Sequence, residues 1–383
     1  MKIAPARNRR RYSVVVRSLI IAALLLRVSL LFVPPFSTDP QRFLSDGINL
    51  LEGRNPYTAA AALPIAYAHL RSFYTPLMET FFALGAWLMR DPFIFRLLGG
   101  AAELLFLGWF FRRKRNRPLP LLLTIFLLFN PVSLHEIWRE GHLDHIGVFF
   151  LYLAIVNVRA ALAYRRSRMR AVGFTLLSIA WKLVGVFALL FVLRKRGRSH
   201  VQQLFSRVAN GFTLLAIAVF VLQLLPAYVF TSVAERGLTV YTTYWNHGNG
   251  IVYLLQRFGF ADAHGVYIVQ RLLALVSLVI CGLYLAKRLS YTNALCLGVG
   301  TLLVLFPVQH PWYYFLLFPF ILLYPRWRFS LALLCLLSPL SYLGYTQSFA
   351  PVGFWIVLSA WLGSAYWAVC RVGGMTRRAP AAG

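Results

Sequence analysis

The sequence predicts an all-α, polytopic integral membrane protein with about ten transmembrane helices and no soluble domain. Of its 383 residues, 59% are hydrophobic and 13% are charged. A soluble chain with this composition would expose too much apolar surface to stay dispersed. Many apolar runs approach the roughly 20 residues that a helix needs to cross a bilayer. No long linker or internal repeat divides the chain, so we expect residues 1–383 to form one transmembrane domain.

The charge of the chain indicates a membrane rather than a nucleic acid. The formal net charge is +28, and a strongly basic protein can be a nucleic-acid binder. Here the Lys and Arg residues lie in short clusters between apolar runs, which is the pattern of cytoplasmic loops in membrane proteins. We therefore expect membrane lipid as a partner and no nucleic acid.

The basic clusters also indicate where each transmembrane span begins and ends, because every cluster can be placed on the cytoplasmic side. The basic N-terminus precedes an apolar run up to Val33 without a small-x-small cleavage site, which indicates an uncleaved first span. Full spans are then expected at 14–33, 93–111, 118–134, 145–163, 208–230, 266–286, 291–306, 311–324, 329–345 and 351–370.

Two further apolar stretches do not fit as full crossings, and we expect re-entrant or interfacial segments. Residues 74–90 are short, and both their ends must lie outside. Residues 171–196 have basic clusters at both ends and Lys182 in the middle. That pattern predicts a re-entrant hairpin with Lys182 near its tip, and a single tilted span is the alternative.

Lys182 is a candidate site residue because an ammonium group is costly within a membrane. It could bind a phosphate at the lipid interface. The alternative is a structural ion pair with Glu103, for which Arg27 in the first span competes.

The polar side chains are concentrated on the face that this topology places outside the cell. Ten of the eleven acids and seven of the eight histidines lie there. The outer segments are 34–92, 135–144 and 231–265, with a shorter turn at 307–314. This face is where we expect a site.

Asp39 follows the first span directly and precedes an amphipathic segment. Phe43, Leu44 and Ile48 recur at helical spacing, which predicts a helix lying on the membrane surface. An acid in this position, between water and lipid, suits a general base. The alternative is a helix cap, in which the Asp39 carboxylate accepts hydrogen bonds from the first turn.

The stretch HEIWREGHLDH, residues 135–145, has seven ionisable side chains in a chain that is poor in acids. We expect an outer loop in which Glu136, His142 and Asp144 bind hydroxyl groups of a polar ligand. A solvated loop and a metal site are the alternatives. The metal interpretation is weak because the spacing is not H-E-x-x-H, and Gly141 interrupts a continuous helix.

Two further outer segments combine aromatic residues with amide and imidazole groups. They are residues 241–255, which contain Asn246 and His247, and residues 309–320, which contain His310 and Trp312. Tyr and Trp at a membrane interface are usually belt residues. The alternative is that these four side chains stack on a sugar and hydrogen-bond to it.

Taken in order, these segments resemble the GT-C superfamily of glycosyltransferases that use polyprenyl-phosphate sugar donors. The resemblance is greatest to the mannosyltransferases that add the first mannose of the GPI anchor and to bacterial polyprenol-phosphomannose-dependent enzymes. It covers about 300 residues. The stretches that carry it are STDPQRFLSDGINLLEGRNPYT, SFYTPLMETFFALGAW, LFNPVSLHEIWREGHLDHIGVFFLYLAI, AWKLVGVFALL, YWNHGNGIVYLL and HPWYYFLLFPFILL.

The resemblance implies an inverting transfer of a sugar, expected to be mannose, to an acceptor hydroxyl on a glycan or glycolipid. Asp39 would be the catalytic base, and the active site would face outward from a bacterial cytoplasmic membrane. The leaving phosphate needs positive charge, for which the candidates are Lys182, Arg139 and Arg257.

One departure from the family concerns its D-x-D motif, because this chain reads Asp39-Pro40-Gln41. Gln41 cannot supply the second charge, so we expect neither a divalent metal held by that motif nor another cofactor. The rival functions are a transporter or flippase for a lipid-linked sugar and a non-catalytic subunit of an envelope assembly complex. A transporter would place polar groups through the full depth of the membrane.

Overall fold

The computed structural model describes residues 6–65, 67–114, 119–160, 165–182, 247, 249–286, 288–345 and 350–376, with isolated positions between 211 and 240. Regular structure in these residues is helical, apart from one isolated parallel bridge between His247 and Val308. The α-helices are α1 (Ala6–Leu30), α2 (Asp39–Leu51), α3 (Pro76–Leu88), α4 (Phe93–Lys114), α5 (Leu121–Phe129), α6 (Pro131–Ser133), α7 (Asp144–Ala160), α8 (Arg165–Lys182), α9 (Gly250–Arg257), α10 (Asp262–Leu285), α11 (Tyr291–Leu305), α12 (Phe318–Leu323), α13 (Arg328–Leu337) and α14 (Ala350–Thr376).

Three helical segments in the described residues are not α-helices. Leu134–Arg139 is a π-helix, and Pro311–Leu317 and Ser338–Tyr345 are 3₁₀-helices. Short π-helical segments occur frequently at functional sites. The π-helix and the first 3₁₀-helix both fall in stretches that the sequence singles out.

The helices have the length and composition of a membrane protein. Within the described residues, four helical stretches are long and apolar enough to cross a bilayer: Phe93–Lys114, Leu121–Arg139, Ala263–Leu285 and Pro351–Cys370. Shorter apolar helices occupy Asp144–Asn157, Thr292–Leu305, Pro311–Leu323 and Arg328–Tyr342. The prediction of an all-α protein is therefore confirmed for the described residues, and the four candidate spans are consistent with a membrane protein, whereas a total of ten spans stays a prediction.

The expected segments 74–90 and 171–196 differ in how much of them the structure describes. The first contains α3, which is 13 residues long and thus too short for a full crossing. In the second, α8 runs continuously to Lys182. Residues 183–196 lie outside the described part, as does most of the predicted span 208–230, so the choice between a hairpin and a tilted span stays open.

Helix α2 forms where the amphipathic pattern predicts it, but its apolar face packs on protein. Phe43 is buried and stacks on Phe82 of α3, with ring centroids 4.6 Å apart. Gly47 permits this close approach, since a Cβ atom there would lie 2.3 Å from the Phe82 carbonyl oxygen. Burial of an aromatic side chain of this kind stabilises the pair by about 1.5–3 kcal/mol.

A buried polar cluster ties α1 to α4 and to the π-helix. Glu103 accepts hydrogen bonds from Arg27 Nε at 3.0 Å and Arg27 Nη2 at 2.9 Å. It also accepts from Trp138 Nε1 at 2.5 Å and from Ser133 Oγ. Arg27 Nη1 donates to the Leu128 carbonyl at 2.6 Å. Glu103 therefore pairs with Arg27 and not with Lys182.

Candidate active site

A cavity of about 900 Å³ lies where α2, the loop before α7, the end of α8 and the first 3₁₀-helix meet. The residues that line it come from stretches spread between Phe36 and Tyr342 in the chain. Seven of the residues singled out in the sequence line its wall: Asp39, His142, Asp144, Lys182, His247, His310 and Trp312.

Asp39 is the first residue of α2, and its carboxylate does not cap the helix. The N-cap is Thr38, and Pro40 occupies the first turn, where its missing N–H costs nothing. Asp39 Oδ2 instead lies 3.1 Å from His142 Nε2. The Asp39 side chain is 37% exposed, so it reaches the cavity. The helix-cap alternative for this carboxylate is therefore wrong.

His142 connects Asp39 to a second, buried carboxylate. Its Nδ1 lies 3.0 Å from Glu136 Oε2, and both side chains are 1% exposed. Burial disfavours a charged imidazole, but hydrogen bonds and charges from Asp39 and Glu136 outweigh it and raise the pKa of His142 to about 10. At neutral pH His142 is thus an imidazolium that donates through both nitrogens, so it cannot serve as a base.

Glu136 lies behind His142 and does not line the cavity. Its Oε1 accepts a hydrogen bond from Tyr342 at 2.7 Å and lies 3.0 Å from His135 Nδ1. The π-helix ends beside Glu140, and Gly141 follows with a φ of +77°, a conformation that favours glycine. This turn brings the His142 side chain back towards Glu136.

Four aromatic rings form a row along one wall of the cavity. His142 stacks on Trp312 at 3.8 Å, Trp312 on His310 at 4.1 Å, and His310 on His247 at 4.6 Å between ring centroids. Burial lowers the pKa of His247 to about 4, and burial with nearby positive charge lowers that of His310 well below its usual value. One end of the row is therefore charged and the other is neutral at pH 7.

His310 has hydrogen-bonding capacity that the protein does not use. It is 6% exposed and lines the cavity. Among the described residues, none pairs with its Nδ1 atom. A buried polar atom without a partner is destabilising, and a ligand hydroxyl in the cavity could satisfy it.

Lys182 is the last described residue of α8 and faces the same cavity. Its Nζ donates to Asp144 Oδ1 and lies 5.3 Å from the centroid of the Tyr313 ring. The Lys182 side chain is 29% exposed, so the pair remains open to the cavity. Lys182 thus has an acid partner, and this partner is Asp144 rather than Glu103.

Two other predicted site residues, Arg139 and Arg257, do not line the cavity. Arg139 donates to the Pro34 carbonyl at 2.9 Å and lies 3.9 Å over the Phe36 ring. Arg257 is at the exposed end of α9, outside the cavity wall. Asn246 lies outside the described residues.

Two arginines in the cavity wall were not predicted from the sequence. Arg42 lies one turn after Asp39 on α2, and helical spacing could have indicated it, because residues three apart share a face. Its Nε donates to Asp46 at 3.1 Å and its Nη2 to the Leu70 carbonyl at 2.5 Å. Arg71 contributes a second guanidinium from the long segment before α3.

Comparisons of the chain with protein-family models, with curated proteins and with solved structures find no match. Within the described residues, there is no group of three or more His, Cys, Asp or Glu side chains that could hold a metal ion. The geometry and charges of the cavity are therefore the basis for a function.

Proposed function

We propose that this protein is an integral membrane glycosyltransferase that uses a polyprenyl-phosphate sugar donor. The observation that carries this proposal is that the Asp39 carboxylate and the Lys182 ammonium group line one cavity, which has a row of aromatic rings on its wall. The family resemblance implies that the sugar is mannose. The acceptor is a hydroxyl group that enters from the extracytoplasmic side.

The charges of the cavity suit a phosphate leaving group. Arg42, Arg71 and Lys182 line it together with the His142 imidazolium, against the two carboxylates Asp39 and Asp144. Fixed positive groups stabilise charge that develops in a transition state, and more so where water is excluded. These cationic groups on the cavity wall therefore favour departure of the polyprenyl phosphate.

In the proposed reaction, Asp39 takes the proton of the acceptor hydroxyl as its oxygen attacks the anomeric carbon. The bond between that carbon and the phosphate oxygen breaks, and polyprenyl phosphate leaves with the electron pair. Attack opposite to the leaving group inverts the configuration. A phosphate monoester leaves as a stable anion, so the step requires a base and positive charge but no strong general acid.

His142 is the positioning residue for Asp39 in this scheme. Its imidazolium is held between Asp39 and Glu136, and Glu136 is itself held by the Tyr342 hydroxyl. Because Glu136 holds His142 in place, His142 can keep the Asp39 carboxylate within the narrow range of positions that the reaction requires.

The cavity wall offers both apolar and polar contacts to a lipid-linked sugar. His310 and Trp312 present polar ring atoms for sugar hydroxyls, and Asp144 accepts hydrogen bonds. The apolar side chains of the wall could contact the first part of a polyprenyl chain. They include Phe43, Phe73, Met78, Leu302, Leu303, Phe306 and Leu316.

Transfer by the purified protein in lipid tests the proposal directly. Radiolabelled polyprenyl-phosphate mannose and glucose would each be supplied with a mixture of glycolipid acceptors extracted from the host membrane. We expect labelled, chain-extended acceptor and released polyprenyl phosphate. Movement of the intact donor across the bilayer without transfer would instead identify a flippase, and absence of both would indicate a non-catalytic subunit.

A further inference from the structure

A second concave surface, an apolar groove of about 550 Å³, lies between α4, α7 and α8 and shares no lining residue with the cavity. Five of its thirteen lining residues are aromatic. Phe106 of α4 stacks on Phe149 of α7 at 4.0 Å, and Phe150 of α7 faces Phe174 of α8 at 6.4 Å. Leu105, which also lines the groove, is 75% exposed. Because α4 is a candidate transmembrane helix, this exposed side faces lipid.

The polar residues of the groove are confined to one end. On α4 the lining runs from Ala102 to Arg113, and on α7 from Ile146 to Asn157. Each run rises about 17 Å at 1.5 Å per residue, close to the roughly 15 Å depth of one leaflet of hydrocarbon. Both runs are apolar at their start and polar at their end.

Helix α8 adds a second cation at the polar end of the groove. It runs antiparallel to α7, since Ser178 donates to the Gly147 carbonyl at 2.7 Å while Phe174 faces Phe150. This direction places Arg170 beside the end of α7. Arg113 and Arg170 are both exposed, and there is no acid among the described residues that line the groove.

We propose that this groove is a binding site for an anionic phospholipid of the leaflet next to the basic loops. The phosphodiester headgroup lies between Arg113 and Arg170, where charge is complementary, and one acyl chain lies along the aromatic wall. Basic pockets between transmembrane helices are suited to anionic headgroups, and a groove that is one leaflet deep accommodates the attached chain. Trp109 lies at the depth where an indole favours the lipid interface, one turn before Arg113.

This lipid is distinct from the donor proposed for the cavity. Asp144 lines the cavity at the start of α7, and Asn157 lines the groove near the end of the same helix. Thirteen residues of helix separate them by about 20 Å. The two sites therefore lie near opposite ends of α7, and the inference does not depend on the proposed function.

The test is lipid retention by the full chain, purified in detergent and analysed by native mass spectrometry. Phosphatidylglycerol and phosphatidylcholine with the same acyl chains are titrated separately. We expect preferential retention of phosphatidylglycerol, and an Arg113→Gln/Arg170→Gln variant should bind it roughly tenfold or more weakly. The matched control is Arg112→Gln/Arg288→Gln, which removes two exposed arginines outside the groove and should retain the preference.

Three outcomes would overturn the site. Equal retention of the two lipids by the wild-type protein would exclude recognition of the anionic headgroup by Arg113 and Arg170. An equal loss in the control variant would mean that general surface charge, and not the groove, attracts the lipid. Displacement of the lipid by water-soluble glycerol 3-phosphate at matched concentration would show an anion site without an acyl-chain contact. Thermal unfolding of both variants identifies any loss that arises from misfolding.

Discussion

His142 Nε2 lies 3.1 Å from Asp39 Oδ2, although 103 residues separate the two in the chain. The other ring nitrogen lies 3.0 Å from Glu136 Oε2, so one imidazolium joins two carboxylates. This arrangement fixes Asp39 at the start of α2 from outside its own helix. Asp39 and His142 can therefore be altered with different expected results.

Asp39→Asn should abolish sugar transfer and leave the fold intact. Asn keeps an oxygen that can accept from His142, but it cannot take a proton from the acceptor. Loss of a general base lowers the rate by about 10²–10⁴-fold. Transfer rate and thermal unfolding are measured together, with Glu52→Gln, which alters an exposed acid at the other end of α2, as the control. A folded Asp39→Asn protein with a near wild-type rate would exclude Asp39 as the base.

The stabilising effect of His142 should depend on pH. Its pKa is raised from 6.5 to about 10 in the folded protein, so its contribution is complete below pH 6.5 and is lost as the pH rises through 10. The difference in unfolding free energy between wild type and His142→Gln should therefore shrink from pH 6 to pH 10. A difference that does not change across this range would contradict a charged His142.

His142→Gln should also lower kcat more than it raises the KM for the donor. The substitution leaves the other cavity cations in place but removes the charge that holds Asp39. We therefore expect the position of the base to be disturbed more than the binding of the donor. Steady-state kinetics at pH 7 provide the measurement. A rise in KM at unchanged kcat would show that His142 binds substrate and does not position the base.

Lys182→Ala should weaken donor binding more than it lowers stability. Lys182 is paired with Asp144, and its side chain is 29% exposed at the cavity wall, so water in the cavity can solvate the Asp144 carboxylate once the ammonium group is removed. Donor binding is measured with a non-transferable polyprenyl phosphate. Asp144→Asn is the control, because it frees the ammonium group and should leave affinity for phosphate equal or higher. If both variants lose stability equally and donor affinity does not change, Lys182 is only a structural partner of Asp144.

Arg27→Leu should destabilise the protein by about 3–5 kcal/mol, because it leaves the buried Glu103 charge without its partner. The double variant Arg27→Leu/Glu103→Gln should recover much of this loss. The amide oxygen introduced by Glu103→Gln would still accept from Ser133 and Trp138, whose bonds to Glu103 hold the π-helix. Thermal unfolding of the two variants in one detergent measures the difference. No recovery in the double variant would mean that the guanidinium contact to the Leu128 carbonyl dominates.

The orientation of the protein can be tested with single cysteines. Cys281 and Cys370 are exposed, so all native cysteines are first replaced by Ala. Thr58→Cys, on the exposed part of the long segment after α2, should react with a membrane-impermeant thiol reagent in intact cells. Arg288→Cys should react only after permeabilisation. The reverse pattern would place the cavity on the cytoplasmic side and exclude the proposed extracytoplasmic transfer.

The sequence was sufficient to predict a helical membrane protein and many of the residues that meet in the cavity. Polarity in an apolar chain is costly wherever it occurs, so Asp39, His142, Lys182 and His310 stand out without any structure. They also fall in the segments from which a polar site was expected, and the structure brings their side chains to one cavity.

The sequence could not predict which charges pair. Lys182 had Glu103 as a candidate partner, yet the rotation of α8 relative to α7 brings it to Asp144. Such rotations depend on packing between helices, and no local pattern encodes them. Arg42 differs in this respect, because its helical spacing from Asp39 could have indicated that it shares the cavity face of α2.

The row of stacked rings has a consequence for the biosynthesis of this protein. Its charged end belongs to residue 142 and its neutral end to residues 247 and 310, with Trp312 between them. A chain that emerges from the ribosome inserts Asp39 and His142 long before the tryptophan that covers the imidazole is made. The wall of the cavity is therefore completed late in translation, and a nascent chain arrested before residue 307 would carry the proposed base without His310 and Trp312, the two middle rings of the row.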